Sequence, residues 1–143
     1  MRATRLPILL VDNDPRDVLR LLDAFAQAGH TAPIERTGDG IDAVAQLNGT
    51  GDYADRRLFP TPGLLIVSLD LDRGSGFQVL EWIQSSKLAG LPVVVLTSSR
   101  QPGDLKRAYA LGAHDYRTKP SSMAELCDVA REIEGYWMDL QRK

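Results

Sequence analysis

Cysteine is nearly absent. The 143 residues hold one, Cys127, so neither an intrachain disulfide nor a multi-cysteine metal site can form. Histidine is almost as scarce: His30 and His114 both fall where strands are expected to begin, and His114 reads as a solvated loop residue. No charge of one sign dominates either. Lys and Arg number 17 against 19 Asp and Glu, a formal net charge of -2, and no basic stripe is available to neutralise phosphates, which argues against nucleic acid as a partner. No apolar run approaches bilayer length, and the start "MRATRLPILLVDND" has too few apolar residues for a signal peptide, so a cytoplasmic protein without a membrane partner is expected. With 43% hydrophobic and 25% charged residues, the composition is that of one globular domain over 1–143, large enough to bury a core.

Two hydrophobic periods alternate along the chain. Continuous apolar runs at Leu6 to Val11, Leu64 to Val67 and Val93 to Leu96 read as parallel strands buried on both faces. Weaker runs at 30–36 and 114–118 make the outer two strands, Pro33 being better tolerated at an edge. Helical spacing follows each strand: Val18, Leu21, Leu22 and Phe25; Ile41, Val44 and Leu47; Val79, Leu80 and Ile83; Leu105, Ala108 and Tyr109; Leu126, Ala130, Ile133 and Trp137. Asp14 before Pro15 reads as an N-cap, and Ser75 with Gln78 and Ser122 with Glu125 have capping-box spacing. Right-handed crossovers then predict an α/β fold, a doubly wound five-stranded parallel sheet in the order 2-1-3-4-5 with five helices. Functional groups belong at the carboxyl ends of its first and third strands. Residues 48–63 form a long loop, and a C-terminal helix is expected over about 121–141.

The strand ends gather chemistry on one rim: Asp12, Asn13 and Asp14; Ser68; Thr97 and Ser98; and Lys119 before Pro120. Over nearly the whole chain, "ILLVDNDPRD", "GFQVL", "PVVVLTSS" and "LGAHDYRTKP" resemble the receiver (CheY-like) domain of bacterial response regulators. The small single-domain regulators that partner phytochrome-type histidine kinases are most similar, through "GDYADRR" and "IEGYWM". The resemblance implies phosphoryl transfer from a kinase histidine to an aspartate beside Mg²⁺. That aspartate stands eight residues before the glycine opening the third helix, and counting back from Gly76 lands on Ser68. Of the two adjacent acids that follow strand one in the family, the second, a metal ligand, is Asn13 here. Lys119 matches the lysine that pairs with the acyl phosphate; Thr97 and Tyr116 match the switch hydroxyl and switch aromatic.

A hydroxyl far above its titration range is a poor nucleophile without a base, and no histidine lies on this rim. Mg²⁺ prefers anionic oxygen, so an amide and a hydroxyl in place of two carboxylates should abolish or severely weaken its binding. The expectation is a pseudo-receiver: a noncatalytic, phosphorylation-independent interaction module with no cofactor. Asp12 should serve as the anionic partner of Lys119 with Ser68 nearby; the alternative is that Asp12 and Asn13 only satisfy helix-start amides. Two alternatives stay open. Asp70 is a shifted phosphoacceptor in the first; in the second the strand-end crevice is an enzyme or ligand site with Ser68 beside Lys119, although no oxyanion-hole motif accompanies the pair. Asp70 and Asp72 otherwise solvate their loop.

The last helix offers more apolar length than five-residue strands can cover. Leu126, Ala130, Ile133, Trp137 and Leu140, flanked by Tyr136 and Met138, therefore predict an overhang, with Gly135 marking a bend or a close helix approach. With Tyr109 and Tyr116 this overhang would form a two-fold homodimer interface through helix four, strand five and helix five, the face through which the resembled family commonly pairs. Trp82, beside its own helix stripe, is expected either partly exposed or packed into the core by rotation.

Overall fold

A computed structural model describes residues 6–141, with side chains through residue 139. Five strands, β1 (Ile8–Val11), β2 (Ile34–Thr37), β3 (Leu64–Val67), β4 (Val93–Thr97) and β5 (Asp115–Thr118), alternate with five helices. The helices are α1 (Pro15–Gln27), α2 (Gly40–Asn48), α3 (Gly76–Gln84), α4 (Pro102–Ala110) and α5 (Met123–Gln141), and one 3-10 turn, Gly51–Tyr53, punctuates the long loop. All strand pairs are parallel in the order β2-β1-β3-β4-β5. β1, β3 and β4 are buried at every residue, as unbroken apolar runs require, whereas the edge strands β2 and β5 have no fully buried residue.

The backbone parts into two compact units, residues 1–13 with 32–118 and residues 14–31 with 119–143. The first holds the sheet with α2, α3 and α4. Leu9, Val11, Leu65, Val67, Val93 and Val95 pack there with Ala43, Leu47, Val79, Leu80, Ile83 and Ala108 in one core. Trp82 is half-buried against that core. Two helix stripes differ from the sequence expectation. On α2 it is Ala43, Gln46 and Leu47 that are buried, and Ile41 is 57% exposed. The cause lies at Gly40, where an added Cβ would sit 2.5 Å from Arg73 O, so the helix start is pressed onto the loop before α3. On α4 only Ala108 of the expected stripe is buried, while Leu105 and Tyr109 face solvent. A small residue inward lets the helix approach closely, and Arg107 lies 4.2 Å over the Phe77 ring.

The second unit is the pair α1 and α5. Asp14 caps α1 by accepting from the Arg16 and Asp17 amides, Pro15 follows it, and Val18, Leu21, Ala24 and Phe25 are buried. On α5, Leu126, Cys127, Ala130, Ile133 and Trp137 are buried. Here the expectation of an overhanging interface fails for its two central residues: Ile133 is 2% exposed and Trp137 0%. The surplus helix length is used inside the unit. After α1 the chain turns at Gly29 (φ 83°), and the His30 amide donates to Phe25 O. The His30 ring then lies 5.3 Å from the rings of both Phe25 and Trp137, with Nδ1 2.5 Å from Glu134 Oε2. α5 runs unbroken across Gly135, where an added Cβ would meet nothing within 4 Å, so that glycine marks no close approach. Tyr136 is half-buried, and the Leu140 side chain lies outside the described residues.

Candidate functional site

Parallel register brings the strand-end residues of the sheet unit together. Val11 is opposite Val67, so Asp12 and Ser68 follow on adjacent strands. The Asp12 amide donates to Thr37 O and the Ser68 amide to Val11 O, which carries the ladder one residue past each strand. Both side chains are nearly enclosed, at 7% and 5% exposure. The spacing from Ser68 to Gly76 has a physical cause. A Cβ at Gly76 would lie 2.3 Å from Ser68 O, and the Gly76 amide donates to Leu69 O, so only glycine lets α3 begin against the end of β3. Ser75 and Gln78 complete the capping box that starts α3.

Asn13 is exposed, and its amide nitrogen lies 3.5 Å from Asp72 Oδ1. That contact belongs to a clamp the sequence reading did not anticipate. The Asp72 amide donates to Gly38 O, the Gly40 amide donates to Arg73 O, and the Arg73 guanidinium pairs with Asp39. Asp39 also accepts from the Ile41 and Asp42 amides at the start of α2. Burial pushes the Asp39 carboxyl up, but these amides and Arg73 outweigh it and hold the group below the usual carboxylate range. The segment "GDG" at 38–40 was the available signal: two glycines flanking an N-cap acid mark a loop that another backbone approaches. Asp70, three residues beyond β3, is exposed and forms an isolated bridge with Ser75.

The two residues expected as switches, Thr97 and Tyr116, are both tied to Ser99. Thr97, 1% exposed, accepts from the Ser99 amide at 3.3 Å, and the Tyr116 hydroxyl donates to Ser99 O at 3.4 Å. Tyr116 is half-buried and packs against the sheet core. His114, in the same unit, sits before β5 and accepts from the Val93 amide, at the opposite strand ends from Ser68. It cannot act as a base for that hydroxyl. In the helix-pair unit, Lys119 Nζ lies 2.8 Å from Asp17 Oδ2, with the two side chains 14% and 26% exposed.

Chemically, the strand ends of the sheet unit present the enclosed Asp12 carboxylate, the Ser68 and Thr97 hydroxyls and the Asn13 amide, whose nitrogen faces Asp72. A hard divalent cation wants several anionic or carbonyl oxygens, and this donor set does not fit Mg²⁺. Among the described residues no group of three or more His, Cys, Asp or Glu side chains is placed to hold a metal. None of the described helices is long and apolar enough to cross a membrane.

The family model for the response regulator receiver domain matches residues 8–131. The chain is similar to the probable methanogenesis regulatory protein FilR2 of Methanothrix harundinacea, 35% identical over 94% of this chain and 85% of that one. It is also similar to response regulator Rcp1 of Synechocystis, 30% identical over 89% of this chain and 92% of the relative. Among solved structures, the phosphorylated cyanobacterial phytochrome response regulator RcpA superposes with a TM-score of 0.86 at 29% identity, over 94% of this chain and 95% of that one.

Proposed function

The chain belongs to the response regulator receiver domain family of two-component signalling, and from that premise we propose that it signals without accepting a phosphoryl group. The observation that carries this reading is Ser68, enclosed at the end of β3 with Gly76 in close approach to its carbonyl; its spacing from that glycine is the one at which the family resemblance expects an aspartate. Attack on a phosphohistidine needs an anionic oxygen, and the Ser68 hydroxyl, with no histidine at this rim of its unit, is a far weaker nucleophile than a carboxylate. Asn13 supports the same reading, since its amide joins a loop clamp instead of supplying an anionic metal ligand. Mg²⁺ has no role in this proposal. The protein acts as a noncatalytic interaction module, a pseudo-receiver, in the cytoplasm.

Its partner class is a histidine kinase or another signalling protein, of phytochrome type by analogy with the phytochrome regulators it resembles. A homodimer remains part of the proposal on changed ground. With Ile133 and Trp137 buried, the proposal rests on what the sheet unit exposes, Leu105 and Tyr109 of α4, 42% and 44% exposed, with Tyr116 half-buried.

Labelling with acetyl phosphate in millimolar Mg²⁺ tests the central claim. The wild type should remain unlabelled. A stable acyl phosphate, mapped by mass spectrometry to Asp70 or any other carboxylate, would overturn it.

A further inference from the structure

A cavity of about 500 Å³ opens in the sheet unit between the C-terminal ends of α2 and α3 and the loop at 48–63. It lies at the opposite end of the helices from the rim that holds Asp12 and Ser68. Its size is that of a small-molecule site, but its lining is more polar than most. The residues that matter are Asn48, Arg56, Thr61, Trp82 and Lys87; no acidic side chain lines the cavity.

Arg56 is fixed in the wall. Its Nη1 donates to Gln46 O and Phe59 O and its Nη2 to Leu47 O, and it has no carboxylate partner among the described residues. The Gln46 and Leu47 carbonyls lie in the last turn of α2 and carry the partial negative charge of its terminus, which offsets part of the guanidinium charge. Lys87 has no such offset. Its ammonium, the Asn48 amide and the Thr61 hydroxyl enter no side-chain hydrogen bond or ion pair among the described residues, so three residues of the lining have donors that no protein group takes up. Trp82 is half-buried against the core and also forms part of the lining, which supplies a rigid aromatic surface next to the cations.

A loop made for solvent alone does not need this ordering. Instead the guanidinium is locked by three carbonyls, Gly49 is held at φ 70° with room for no Cβ beside that guanidinium, and Tyr53 and Phe59 stack edge to face. We propose that this cavity binds a small planar organic anion, a purine or aryl ring bearing a phosphate or carboxylate. The ring lies against Trp82, and the anionic group is held at Lys87 with the Asn48 and Thr61 donors. Neutral rings gain only the stacking, and bare anions only the charge, so the combination is what the site selects.

The test is an amide-resolved NMR titration of the full chain with adenosine 5′-monophosphate, salicylate, adenosine and inorganic phosphate. The first two separate a purine phosphate from an aryl carboxylate; the last two separate ring from charge. The expected result is saturable binding of at least one ring-bearing anion, with shifts centred on Asn48, Thr61 and Ser85 to Lys87. Adenosine and inorganic phosphate should each bind at least about tenfold more weakly. Lys87→Ala should weaken the ring-bearing anion about tenfold while leaving the remaining spectrum unchanged, which shows the fold intact. Trp82→Phe, which keeps an aromatic ring, should weaken it less. No saturation by either anion at millimolar concentration, shifts centred elsewhere, or an unchanged affinity in Lys87→Ala would each overturn the proposal.

Discussion

Lys119 Nζ lies 2.8 Å from Asp17 Oδ2, joining the residue after β5 to the first turn of α1 within one compact unit. The resemblance matches Lys119 to the lysine that pairs with an acyl phosphate; in this chain it holds the Asp17 carboxylate. A partly exposed pair of this kind contributes on the order of 1 kcal/mol. Lys119→Met and Asp17→Asn should each lower unfolding free energy by about that amount, and the double variant should lose less than their sum. Urea denaturation of the four proteins measures the coupling, and strict additivity would show the pair to be inert.

Restoring the acceptor alone should not restore the chemistry. Ser68→Asp is expected to label poorly with acetyl phosphate because Asn13 still brings an amide where the family has a metal-binding acid. The Asn13→Asp/Ser68→Asp double variant should label in a Mg²⁺-dependent way. Efficient labelling of the single variant would show that Asn13 is no obstacle.

Gly76 sets the start of α3 through steric clearance, not flexibility, because its φ is not positive and its missing Cβ would lie 2.3 Å from Ser68 O. Gly76→Ala should destabilise the protein by roughly 1–3 kcal/mol, the usual range for overpacking. Gly135→Ala, at an exposed helical position with open space around it, should be stabilising by about 0.5–1 kcal/mol. Thermal melts of the two variants should move in opposite directions.

The Tyr53 hydroxyl donates to Asp42 at 2.7 Å, and this bond, with smaller help from burial and neighbouring acids, pushes the phenol up to about 12. A raised phenol favours the protonated folded state. Its stabilisation is complete below the unfolded value near 10 and is lost as pH rises from there through about 12. Ultraviolet titration should find one tyrosinate forming near that upper value, and Asp42→Asn should return it toward 10. A tyrosinate signal that Asp42→Asn leaves unmoved would sink this account.

Trp137, 0% exposed and tilted against His30, should behave as core. Trp137→Ala is expected to cost about 3–5 kcal/mol. Light scattering should show the assembly state responding to Tyr109→Glu on exposed α4, and a Trp137→Phe variant should keep the wild-type mass. A wild type that is monomeric at micromolar concentration removes the homodimer altogether.

The order of strands and helices was legible because β1, β3 and β4 are apolar without interruption and each crossover helix has its own stripe; buried parallel strands leave that signature in any sequence. Ser68 was legible too, since the glycine that α3 requires fixes its distance from the end of β3. Tertiary packing decided what periodicity leaves open, namely which of several apolar residues on a helix turns inward. On α2 and α4 that choice went to Ala43 and Ala108, small enough for close approach, and left Ile41, Leu105 and Tyr109 outside. On α5 the apolar stripe suggested an overhang for a second copy to cover, but Trp137 is covered within its own unit by His30, 107 positions earlier in the chain, and no local pattern carries a contact over that separation. The clamp of Asn13, Asp39, Asp72 and Arg73 is of the same kind: the glycines beside Asp39 mark a close backbone approach but not its partner, and the sheet order β2-β1-β3 sets the loops side by side.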